Sequence, residues 1–70
     1  MNTTMITDHD LIMAFSKTKP LQSKTYYVQY ENSIEKSFYA TNFKEAKLIA
    51  REYGARIIND KVLRVWGVVA

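Results

Sequence analysis

Lys44, Lys47 and Arg51 recur at i, i+3 and i+7 within one strongly helical segment. Residues three and four apart are neighbours on a helix surface, so this spacing makes a basic flank suited to carboxylates or phosphates. Leu48 falls among these cations, nearly opposite the apolar stripe of the same helix. Three readings stand for it: a lone exposed leucine, a leucine covered by an N-terminal helix, or the apolar part of a partner-binding patch with Lys44, Lys47 and Arg51. Other chemistry is scarce. The chain has no cysteine and one histidine, His9, which excludes disulfides, thiolate sites and a His-rich zinc site. Asp8-His9-Asp10 has the composition of a metal or relay triplet, but adjacent helical residues point in different directions. Glu31 and Glu35 flank a turn and read as ordinary surface. With two glycines, Gly54 and Gly67, no phosphate-cradling loop can form. The expectation is a non-enzymatic protein, without metal or cofactor, that acts by binding.

The basic flank depends on a helix beginning at Asn42. Asn42 is a good N-cap, and Glu45 completes a capping box by reaching back to the Asn42 amide. At about 100° per residue, Phe43, Ala46, Ile49, Ala50 and Tyr53 gather on one side as the core face. Gly54 is placed to end the helix in the left-handed conformation. Ahead of it, TYYVQYE and IEKSFYAT around Asn32-Ser33 predict a β-hairpin over about 24 to 41. The better core faces there carry Tyr26, Val28 and Tyr30, and Phe38. After it, ARII (55–58) and VLRVWGVV (62–69) read as two strands around Asn59-Asp60-Lys61. Gly67 inside the last strand marks a bulge or a close backbone contact. Near the start, Thr7 or Asp8 caps a short helix through Lys17 with Leu11, Ile12 and Phe15 as its stripe, and Lys19-Pro20 breaks it. So short a helix either docks on the domain or orders on a partner.

These elements predict an α+β domain: an N-terminal arm with a short helix over 1–23, then a ββαββ antiparallel sheet over 24–70 with one helix on one face. Seventy residues allow one small core. An apolar content of 47% suffices to fold, and no apolar run reaches membrane-spanning length. The default is a soluble cytoplasmic protein with no membrane partner. A net charge of +3 favours an anionic partner mildly. Two binding classes follow. In one, strand aromatics with Lys24, Lys36, Arg56 and Arg64 around them contact single-stranded nucleic acid, although Tyr26, Tyr30 and Trp66 also serve as core filler. In the other, a free sheet face or strand edge takes a protein partner, or a second copy forming a homodimer.

The run Tyr39-Ala40-Thr41-Asn42-Phe43-Lys44-Glu45-Ala46-Lys47-Leu48-Ile49-Ala50, after Tyr27-Val28 and a short turn and before a closing β-hairpin, resembles small bacteriophage inhibitors of host machinery. It is similar over residues 25 to 69 to the type I-F anti-CRISPR kind, and in layout to the short-tailed coliphage inhibitor of host RNA polymerase. The resemblance implies steric occlusion of a host complex in the host cytoplasm, with a CRISPR effector favoured and RNA polymerase second. In the anti-CRISPR kind a Lys-Arg pair on this helix contacts the effector's repeating subunits. Lys47 stands at that Lys, and Leu48 stands where the Arg would be. The polymerase inhibitor tends to be more acidic than this chain.

Overall fold

The computed structural model describes residues 6–67. Strand alternation builds its centre. Along β1 (Lys24–Tyr30), Tyr26, Val28 and Tyr30 are buried while Thr25, Tyr27 and Gln29 are only partly covered. β2 (Lys36–Ala40) pairs antiparallel with β1, placing Phe38 opposite Tyr26 and burying Phe38 and Ala40 on the same side. β3 (Val62–Gly67) pairs antiparallel with the other edge of β1, giving the order β2-β1-β3. Gln29 faces Arg64 while Tyr30 faces Val62. Leu63 is therefore the extra residue of a bulge, and it stays exposed with Arg64. The expected close contact at Gly67 is present: a Cβ there would lie 2.9 Å from the Tyr26 ring.

Two helices cover one face of this sheet. α1 (Asp8–Ala14) starts with a reciprocal capping box: the Asp10 amide donates to Thr7 Oγ1 at 3.1 Å, and the Thr7 amide donates to Asp10 Oδ2 at 3.2 Å. The helix stops three residues short of the expected Lys17. Ile12 leaves the predicted stripe, being 53% exposed, and Ala14 replaces it beside buried Leu11. Phe15 follows the helix and stacks on Phe38 (4.8 Å between centroids) and Tyr53 (3.9 Å). The N-terminal arm thus shares the core of the 24–70 unit, which answers whether so short a helix docks on its own domain.

α2 (Phe43–Tyr53) has the predicted N-cap, the Glu45 amide donating to Asn42 Oδ1 at 2.8 Å. The Glu45 carboxylate reaches one residue further back than expected, accepting from the Thr41 amide at 2.7 Å and hydroxyl at 3.0 Å. Ala46, Ile49 and Ala50 are buried, and Tyr53 is partly buried. Phe43, expected in the core, is 44% exposed and meets Tyr26 only at the rim.

Gly54 and the ARII segment correct the sequence reading. Gly54 is right-handed helical (φ −61°, ψ −43°), and Gly54–Ile58 forms one π-helical turn instead of a strand. The left-handed residue that ends this turn is Asn59 (φ 52°, ψ 56°). Among the described residues the sheet therefore has three strands, in a ββαβ order after α1. The physical reason is a clamp. The Asp60 amide donates to Gly54 O at 2.8 Å, closing the widened turn. The Asp60 carboxylate accepts from Ser33 Oγ at 2.7 Å and from the Asn32 amide at 3.1 Å, tying the turn to the hairpin. These bonds, Ser33's foremost, hold the Asp60 carboxyl below its ordinary range against the opposing effect of burial. Alongside, Tyr30 donates its hydroxyl to Ala50 O at 2.6 Å. Burial, with Tyr53 and Asp60 nearby, raises the Tyr30 phenol far above its usual range, so it remains a donor.

Candidate docking groove on α2

Helix geometry decides how the cations of α2 sit. Lys44 and Leu48 are i, i+4 neighbours, as are Lys47 and Arg51, so the four predicted residues form one contiguous patch. The structure brings all four to a single groove of about 560 Å³, with Ile6, Asn42 and Glu45 completing its lining. Lys44, Lys47 and Arg51 are exposed, and Leu48 is partly buried. Leu48 and Ile6 supply the apolar surface of the groove. No residue of α1 lines it; from ahead of that helix Ile6 does.

Electrostatically the patch is unbalanced. Among the described residues, the ion pairs are Arg56 with Asp8 at 2.6 Å and Arg56 with Glu52 at 3.6 Å. Neither involves Lys44, Lys47 or Arg51. Glu45 lines the groove, but its carboxylate is engaged at the N-cap. The Lys47 ammonium lies 5.1 Å from the Phe43 ring centroid, a cation–π contact at the groove's margin. Like charges at i, i+3 and i+4 destabilise a helix by about 0.2–0.5 kcal/mol per pair. Lys44 in the first turn also opposes the helix dipole, whereas Arg51 in the last turn suits it. The arrangement presents positive charge outward at a small cost to the fold.

Ile6 and Phe43 were not singled out as site residues by sequence. Ile6 is positioned by Arg56, whose Nη1 donates to Ile6 O at 2.6 Å across fifty positions, a pairing with no local signal. Phe43 was legible as apolar at a helix start, but it is exposed and meets Tyr26 at 6.2 Å between ring centroids. The other candidates have structural roles. Asp8 pairs with Arg56 and Asp10 caps α1, while His9 is exposed. Arg56, counted as part of a basic rim, is committed to Asp8, Glu52 and Ile6. Tyr26 and Tyr30 are core residues.

Among the described residues, no three His, Cys, Asp or Glu side chains gather in a way that could hold a metal ion. No described helix is long and apolar enough to cross a membrane. Compared with known protein families, curated proteins and solved structures, the chain matches none.

Proposed function

We propose that this protein is a non-enzymatic, phage-type inhibitor that docks through the α2 groove on an acidic face of a host macromolecular complex and blocks it sterically, with a CRISPR effector as the target. The observation that carries this reading is the outward array of Lys44, Lys47 and Arg51 around Leu48, with no carboxylate paired to any of the three among the described residues. A cationic stripe is repelled by a channel built for phosphates, so its complement is a cluster of Asp and Glu on the partner's surface. Leu48 and Ile6 add an apolar seat at the centre of that contact, and Phe43 adds an aromatic margin.

The test uses a purified type I-F surveillance complex and its target DNA. The unmodified protein should reduce target-DNA binding in proportion to its capture by the complex. Simultaneous Lys44→Glu, Lys47→Glu and Arg51→Glu should abolish both while leaving the circular dichroism spectrum and unfolding midpoint nearly unchanged, because none of the three is buried. A folded triple variant that still blocks DNA binding removes the groove from the mechanism. Absence of capture by the CRISPR effector, with groove-dependent capture by purified RNA polymerase, moves the target and keeps the docking surface.

A further inference from the structure

We propose that the helix-free face of the sheet is a second binding site, a platform for single-stranded nucleic acid in which Tyr27 and Trp66 stack on unpaired bases beside Arg64. Both helices pack against the face carrying Tyr26, Val28, Tyr30 and Phe38, leaving the opposite face without a covering element among the described residues. There Tyr27 and Trp66 are directly paired across β1 and β3. Their rings lie 5.9 Å apart and within 20° of parallel. Arg64, paired with Gln29 in the same ladder, holds its guanidinium 4.8 Å from the Trp66 ring centroid.

Charge selects the occupant. By strand register the same face carries Thr25, Gln29 and Ser37, so no carboxylate lies on it along the paired strands. Arg64 has no acidic partner among the described residues. An occupant must therefore offer flat ring faces together with negative charge, which is the chemistry of a nucleotide strand. Aromatic platforms take bases that are free of a duplex, because stacking uses the ring face and not the pairing edge. A second copy fits less well, since face-to-face pairing would set cationic Arg64 surfaces against each other without compensating acids.

This site is separate from the α2 groove, so the two proposals fail independently. Trp66 is the chain's single tryptophan, and its emission reports directly on the face. Titrating the full chain with single-stranded oligothymidylate should quench Trp66 saturably, whereas a duplex of equal length should not. Tyr27→Ala should weaken the affinity by about 5- to 150-fold, the range for one lost stacking contact. Tyr27→Phe, which keeps the ring, should retain it. Arg64→Gln should weaken binding and reduce the log–log salt slope by about 0.7, one single-strand phosphate contact. The triple Glu variant of the α2 groove should still bind. The proposal is overturned by absence of saturable quenching, by equal quenching with duplex, or by binding that survives Tyr27→Ala and is lost in the groove variant. Concentration-dependent self-association abolished by Tyr27→Ala would overturn it as well, by assigning the face to a second copy.

Discussion

Replacing Gly54 by alanine tests whether the turn that launches β3 is set by contact or by backbone freedom. Its dihedral angles are helical, so helix propensity alone predicts that alanine stabilises by nearly 1 kcal/mol. Packing predicts the opposite. A Cβ on Gly54 would sit 2.6 Å from the Asp60 carbonyl oxygen and 2.7 Å from Tyr30 Cε1. Neither neighbour yields easily. The Tyr30 ring is fully buried and its hydroxyl is fixed to Ala50 O, while Asp60 is held by Gly54 O, Asn32 and Ser33.

Overpacking costs about 1–3 kcal/mol; two contacts under 3 Å with fixed neighbours put Gly54 in the upper half of that range, about 2–3 kcal/mol, which leaves a net loss of roughly 1–2 kcal/mol once the propensity gain is deducted. For a domain of this size each kcal/mol shifts the midpoint by about 4–8 °C, so Gly54→Ala should melt roughly 5–15 °C lower. Thermal unfolding followed by near-ultraviolet circular dichroism, with a urea series for the free energy, measures this directly. Asn59 supplies the contrast. It bears the left-handed conformation, so Asn59→Gly should be nearly neutral, whereas Asn59→Ala should lose about 1 kcal/mol. A Gly54→Ala protein as stable as the parent would refute the reasoning: the close fit would then impose nothing, and the π turn would need another cause.

Three further outcomes follow from the same structure. Ile49→Ala should cost about 2–5 kcal/mol because the side chain is buried, whereas Phe43→Ala should cost about 1 kcal/mol or less while weakening docking at the groove; paired urea titrations and capture assays separate the two. Because the Asp60 carboxyl is held below its ordinary range in the fold, its contribution is fully present above that range and is lost as the pH falls through and below it. Urea midpoints measured against pH should therefore show a shallower acid limb in Asp60→Asn than in the parent, and superimposable limbs would contradict the clamp. Arg56→Ala should change global stability by less than about 1 kcal/mol, since its ion pairs are partly exposed. Amide exchange in α1 should nevertheless quicken, because a seven-residue helix does not hold alone and Arg56 ties down both Ile6 and Asp8.

What the sequence disclosed was local in origin. The Asn42 cap, the period of α2 and the alternation in β1 each rest on residues within a few positions of one another, and each appears in the fold. The failures were long-range. ARII is rich in β-branched residues, yet Tyr30 and Asp60, distant in sequence, close around Gly54 and hold that stretch in a helical turn. The glycine was rightly seen as special and given the wrong reason: it lacks a Cβ for want of room, and Asn59 supplies the left-handed residue instead. Phe43 obeyed helical periodicity but is 44% exposed, at the first residue of α2. The predicted site residues were legible as a set because helix spacing alone brings Lys44, Lys47, Leu48 and Arg51 together. Ile6 was not, since its place in the groove depends on a bond from Arg56 fifty residues away.

The cations on α2 are hard to explain by folding alone. The acids on this helix are used elsewhere, Glu45 at the N-cap and Glu52 near Arg56, although a glutamate at position 47 would relieve repulsion from both Lys44 and Arg51. A core of seventy residues has little stability to spare, and a stripe that raises the helix's energy while remaining fully hydrated does nothing for that core. Within the chain its one aromatic contact among the described residues is Lys47 over Phe43, and on the proposed reading the partner supplies the rest. This makes charge reversal a sharper functional probe than alanine: three glutamates repel one another as the three cations do, and the dipole gain at position 44 offsets the loss at position 51, so helix stability should change little while the attraction to an acidic partner is reversed.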